Sequence, residues 1–189
     1  MKTIELIINE AEGDEGVFAI SMVENPAIEL DFVALSEQKA VVLQKADDDQ
    51  MVVLGAALVP DKPIYRISPE GEEYNIIFSK QTVKQASEIY MREMRGHNVT
   101  LDHAEVAENI YLTESWIVED PKMDKAAHYG MEVPKGTWMV SMKVDDPVTW
   151  QNVKAGKLLG FSIEGMFQKT EELSKSEQLC DQILKIIEE

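Results

Sequence analysis

The chain has 189 residues, 44% of them hydrophobic, which is enough for one core with satellite elements and too apolar for a disordered chain. Its 35 acidic and 18 basic residues give a formal charge of -17 with no offsetting basic block, which argues against nucleic-acid backbones as partners. The single cysteine, Cys180, excludes an internal disulfide and fits a reducing compartment, and no apolar run approaches the roughly 20 residues of a membrane span.

Three blocks follow in chain order. In the first, which runs to about Leu35, Thr3 to Ile8 and Gly16 to Val23 read as strands. Glu5 interrupts the N-terminal apolar residues and no small-residue cleavage site follows, so this stretch reads as a strand rather than a signal peptide. A soluble, cytoplasmic protein is expected. Asn25-Pro26 breaks the second strand, and Leu30 to Leu35 predicts a third. Ser36 to Gln50 reads as a mobile connection ending in Asp47-Asp48-Asp49, with a short helix through Ala40 to Gln44 as the other reading.

From Met51 onward the pattern is dense. Met51 to Val59 predicts an apolar strand stopped by Pro60. Ile64 to Ile67 and Tyr74 to Phe78 flank Pro69-Glu70-Gly71, which is hairpin chemistry. Ser79 caps a predicted helix to about Met94, with Val83, Ala86, Ile89, Tyr90 and Met94 at helical spacing and Gly96 as its stop. Val99 to His103, Ile110 to Val118, Thr137 to Val144 and Leu158 to Phe167 predict strands. Asp146-Pro147 starts a short helix that stops at Gly156. Ser174 with Glu177 suggests a capping box for a last helix whose apolar stripe is Leu179, Ile183, Ile186 and Ile187. Strands outnumber helices without alternating with them, so an α+β or mainly β domain is expected. Its architecture would be a small mixed or antiparallel sheet or barrel flanked by about three helices.

Two side chains carry the chemistry. Ser162, in Gly160-Phe161-Ser162-Ile163-Glu164-Gly165, and His103, after Val99-Thr100-Leu101-Asp102, would form a nucleophile and base if the fold unites them. Strand alternation groups Ser162, Glu164 and Met166 on one face, with Phe161, Ile163 and Phe167 on the other. The spacing is not that of a Gly-x-Ser-x-Gly elbow, so an α/β-hydrolase is a poor fit. Alone, a strand serine is ordinarily surface filler, and a strand histidine on the parity of Val99 and Leu101 ordinarily packs against its sheet. The group that orients His103 would be Glu164 or Glu114. Asp102 and Glu105 alternate away from His103 on a regular strand. His97, His103, His128 and Cys180 match no common zinc spacing, so neither a metal nor a cofactor is expected. Trp116, Trp138 and Trp150 read as core.

Four ordered motifs add a resemblance. Val59 to Arg66, Glu114 to Asp120, Val133 to Val140 and Gly160 to Gly165 resemble the XkdF-like family of phage serine proteases, over roughly residues 52 to 168. That family is similar to the prohead maturation proteases of tailed phages, which share the herpesvirus assemblin fold, a small β-barrel ringed by helices. The resemblance implies a serine endopeptidase with Ser162 as nucleophile and His103 as base. It implies scaffold and major capsid proteins as substrates, and the procapsid interior in the bacterial host as the place of action. The apolar stripe of the last helix would pack on the barrel or form a homodimer contact, as helices do in assemblin-like enzymes, while the charge and the lack of a membrane span leave no nucleic acid or membrane expected as partners.

One departure stands out. In ordinary prohead proteases the third member lies on a strand after the serine, followed by a pattern like Ser-Leu-Val-x-x-Pro-Ala. Here Ser21-Met22-Val23-Glu24-Asn25-Pro26-Ala27 precedes the histidine, and the third position falls on Ala19. The implied arrangement is a circular permutation: residues 1–35 complete the barrel, 36–50 form a linker, 51–168 the catalytic core and 169–189 a terminal helix. The third role then passes to Glu164 or Glu114, or the site is a dyad. A catalytically inactive capsid assembly module that keeps the protease fold is the alternative from another class, and a β-rich binding domain unrelated to phage is the third.

Overall fold

A computed structural model describes residues 2–13, 15–28, 33–36 and 49–170. Its strands are β1 (Lys2–Ile7), β2 (Gly16–Val23), β3 (Val33–Ser36), β4 (Asp49–Leu58), β5 (Ile64–Ile67), β6 (Glu73–Phe78), β7 (Val99–Leu101), β8 (Glu105–Val106), β9 (Ile110–Ile117), β10 (Trp138–Val144), β11 (Gly160–Met166) and β12 (Gln168–Lys169). The helices are α1 (Lys80–Arg92), α2 (Lys125–His128) and α3 (Pro147–Lys154). Among the described residues the protein is mainly β, with three helices. The predicted terminal helix from Ser174 lies outside the described residues, as does most of the predicted connection. Within that connection, Ser36 is paired with Asp49 across β3 and β4.

The strands form three open four-stranded sheets, in the orders β12-β1-β6-β5, β3-β4-β10-β9 and β11-β2-β7-β8. No closed barrel forms among the described residues, which corrects the barrel expectation. The N-terminal block gives one strand to each sheet. β1 runs parallel to β6 and antiparallel to β12, and β2 runs parallel to β7 and antiparallel to β11. Its role is to fill the interiors of two sheets rather than to close a seam.

Local chemistry explains the element ends. The Ser79 hydroxyl accepts from the Thr82 amide at 3.3 Å and opens α1. Asp146 Oδ2 accepts from the Thr149 amide at 2.7 Å and opens α3, with Pro147 at its first turn. Bonds from the backbone and hydroxyl of Thr149 hold the Asp146 carboxyl below its usual range. Gly71 turns the β5–β6 hairpin with φ of 85°. Met94, not Gly96, takes the left-handed conformation after α1, and a 3-10 turn follows over Arg95–His97. His128 ends α2, which Asp124 caps.

α1 lays Val83, Ala86, Ile89 and Tyr90 against the sheets. The Tyr90 ring meets Trp138 edge-on at 5.5 Å, and the Trp138 indole N–H donates to Ser115 Oγ at 2.9 Å. Burial pushes the Tyr90 phenol far above its usual range. Phe161, Ile20, Met22 and Leu54 are likewise fully buried. Each such side chain contributes about 1.5–3 kcal/mol of burial energy. Trp138 and Trp150 lie in the core, whereas Trp116 is half-buried, with its N–H on Asp124 and Lys125 over its ring.

Candidate functional site

The sheet containing β2 organises the site. On its central strand, Ser21 stands opposite Ser162 of β11 on one side and Thr100 of β7 on the other. Directly paired residues share a face, so three hydroxyl side chains run in a row across the strands. One step along β11, in the same parity, Glu164 stands opposite Ala19.

Ala19 offers only a methyl group, so the Glu164 side chain crosses β2 and reaches β7. Glu164 Oε1 accepts from Thr100 Oγ1 at 2.5 Å and lies 3.0 Å from His103 Nδ1. An ionised carboxylate only accepts, so this contact puts the imidazole proton on Nδ1 and leaves Nε2 with its lone pair in the neutral ring. A bulge follows immediately, between Glu164 and Gly165. Gly165 is required there, since a Cβ would stand 2.4 Å from the Gly16 carbonyl oxygen.

His103 is not on the strand, as its spacing predicted, but two residues past the strand end. Asp102 and His103 have φ of 46° and 59°, and the Ala104 amide donates to the Leu101 carbonyl at 3.0 Å. Both central residues are therefore left-handed, the signature of a type I′ hairpin turn between β7 and β8. Asp and His enter that region more readily than most residues, at a cost on the order of 1–3 kcal/mol each. Three bonds hold the turn. The Asp102 amide donates to the Met22 carbonyl at 3.0 Å, the Glu24 amide donates to Asp102 Oδ1 at 3.1 Å, and the His103 amide donates to Ser21 Oγ at 3.0 Å. Ser21 is fully buried, whereas the His103 side chain is 43% exposed.

The predicted residues are thus distributed as follows. His103 and Glu164 meet. Ser162 lies opposite the serine that holds the His103 backbone, about 5 Å away between Cα atoms by antiparallel spacing. No hydrogen bond joins Ser162 and His103 among the described residues. Glu114 belongs to another sheet, where it accepts from Ser141 Oγ at 2.7 Å and from Lys125 Nζ. Those bonds hold its carboxyl below the usual range. Ser162 helps line a cavity of about 200 Å³, together with Ala27, Leu58, Ile64, Arg66 and Phe161, among others. Ser21 and Thr100 escaped the sequence reading because their part depends on register. Asp102-His103 carried a usable signal, a pair tolerant of left-handed geometry between short strands. No cluster of three metal-ligating side chains forms among the described residues.

The family model described as "Putative phage serine protease XkdF" matches residues 39–171, which includes His103, Ser162 and Glu164 and leaves out β1 and β2. The chain belongs to this family. The XkdF relationship extends to the phage-like element PBSX protein XkdF of Bacillus subtilis (strain 168), which is 23% identical over 137 residues. That match covers 72% of this chain and 44% of the Bacillus protein, so the chain spans less than half the length of the curated relative. No solved structure matches. No helix among the described residues is long and apolar enough to cross a membrane.

Proposed function

We propose that this XkdF family member is a serine endopeptidase of phage capsid maturation, cutting scaffold and major capsid proteins within the procapsid of the bacterial host. The observation that carries the reading is the 3.0 Å contact between His103 and Glu164, which shares β11 and its face with Ser162. Glu164 orients the imidazole and stabilises its charged form. Nε2 removes the Ser162 proton as Oγ attacks the scissile carbonyl. The same nitrogen then gives the proton to the leaving amine, and water, activated in turn by Nε2, releases the acyl group and regenerates Ser162. Backbone amides near Asn25-Pro26 or after Gly165 serve the oxyanion, each worth about 3 kcal/mol of the barrier. Catalytic hydrogen bonds are often long without substrate and tighten when it binds.

The experiment is co-expression with the cognate scaffold and major capsid proteins. Both are processed by the wild type and remain uncut with Ser162→Ala. Full processing by Ser162→Ala would reject Ser162 as nucleophile.

The 43% exposure of His103 and its missing bond to Ser162 favour a second reading, an assembly module that keeps the fold without the chemistry. In that case neither protein is cut in any combination, while the chain still co-purifies with assembling capsid protein. A homodimer is part of the first reading, and a strictly monomeric mass at micromolar concentration would remove it.

A further inference from the structure

Glu164 makes its contact from β11 and His103 from the turn after β7, and neither is anchored by its own segment alone. Glu164 must stretch over Ala19 to reach β7. His103 rides on a left-handed turn with its ring partly in solvent. Two long-range hydroxyl bonds meet this pair. Thr100 Oγ1 donates to the same oxygen of Glu164 that faces His103, across 64 residues of sequence, and Ser21 Oγ accepts the His103 amide across 82. Ser21 and Thr100 are register partners on adjacent strands, so one row of the sheet fixes both halves.

We propose that Thr100 and Ser21 are positioning residues of the site: Thr100 locks the Glu164 carboxylate toward His103 Nδ1, and Ser21 locks the turn that carries His103. This rests on the reading of Ser162 and His103 as a catalytic pair. The chemistry favours the assignment over ordinary sheet filler. A free Glu side chain has several rotamers, and a donated hydroxyl bond selects the one that crosses β2. A buried serine oxygen aimed at a left-handed backbone satisfies an amide that the β7–β8 pairing does not use. At metal sites, the outer partners that orient a histidine or its carboxylate typically matter by about 10–100-fold. The charged groups around the turn are Glu164 from β11, Asp102 within it, Glu24 after β2 and Glu105 on β8. Asp102 is already engaged by the Glu24 amide.

The test uses the full chain with Thr100→Val, Thr100→Ser, Thr100→Ala and Ser21→Ala. Fluorophosphonate inactivation is resolved into a maximal rate and a half-saturating concentration. Thr100→Val and Thr100→Ala should lower the maximal rate about tenfold or more. Their half-saturating concentration and Tm should stay unchanged, and Thr100→Ser should restore the rate. Proton NMR supplies a readout independent of activity. The His103 Nδ1–H resonance, slowed in exchange by Glu164, should vanish in Thr100→Val and persist in Thr100→Ser, also in a Ser162→Ala background. Ser21→Ala should speed hydrogen exchange at the His103 amide. A Thr100→Val protein with wild-type rate and an intact resonance would overturn the proposal. So would a Thr100→Ser protein as impaired as Thr100→Val. If the wild type never reacts, the protease reading fails on its own, and the resonance in these variants still decides the role of Thr100.

Discussion

Glu164 of β11 and His103 of the turn after β7, 61 residues apart in the chain, meet at 3.0 Å, and the strand between β11 and β7 presents only Ala19 opposite Glu164. Ala19 is where the resemblance to prohead proteases puts an acidic third member. The carboxylate passes over that position from the neighbouring strand, so a carboxylate partner for the histidine is supplied from β11 instead of β2.

Replacing Glu164 by Gln removes the charge that stabilises the imidazolium while keeping size. In serine proteases, loss of the orienting carboxylate costs on the order of 10⁴ in kcat. Here a fall of about 10²–10⁴ in kcat is expected, with KM nearly constant, measured on a cleaved scaffold or capsid substrate. Unchanged kcat would establish a Ser162–His103 dyad.

Ala19→Leu should block the path of Glu164 across β2. Ala19 is nearly buried, so overpacking adds a stability cost of about 1–3 kcal/mol. The expected result is loss of cleavage by about 100-fold or more in a protein that still folds. Circular dichroism and cleavage of the same sample check both halves. Wild-type cleavage would mean that the crossing is dispensable.

Gly165→Ala drives a methyl group into the Gly16 carbonyl, with Phe167 next in line at 2.9 Å. A backbone atom cannot swing aside like a side-chain tip. Destabilisation of about 1–3 kcal/mol is expected, seen as a Tm drop of roughly 2–4 °C per kcal/mol. Gly71→Ala is the control. It meets open space and feels only the left-handed strain of its turn.

Glu114 gives a pH prediction. Its bonds to Lys125 and Ser141 depress its carboxyl in the folded state. A carboxyl depressed on folding adds stability above its unfolded value near about 4.3, and that stability is lost as pH falls through the lower folded value. The side chain is 47% exposed, so solvent screening keeps the contribution below about 1 kcal/mol. Thermal melts from neutral pH to about pH 3 should show a flatter acid limb for Glu114→Gln than for wild type, with cleavage activity unaffected. An identical acid limb would remove Glu114 from the account of acid stability.

Much of the local structure was legible because it rests on short-range chemistry. The caps at Ser79 and Asp146, the proline opening α3, the turn at Gly71 and the apolar strand of β4 are set by residues within one or two turns of each other. α2 was missed: it is four residues long, too short for periodicity, and is held by the Asp124 cap. A barrel was expected both as one architecture for these strands and from the resemblance, and among the described residues β1, β2 and β3 instead separate into three open sheets. Within the site, strand parity correctly paired Ser162 with Glu164. The same logic misplaced His103, because alternation was carried through Asp102 into a turn where φ changes sign. Ser21 and Thr100 depend on which strands neighbour each other and in what register, which periodicity within one strand does not encode.

If His103 makes Ser162 a nucleophile, a fluorophosphonate labels the full chain on one serine, located by peptide mapping of the adduct. A single adduct on Ser162 is expected, lost in Ser162→Ala and in His103→Ala, both still folded. No adduct on the wild type, or an adduct on Ser21 or another serine that persists in Ser162→Ala, would contradict it.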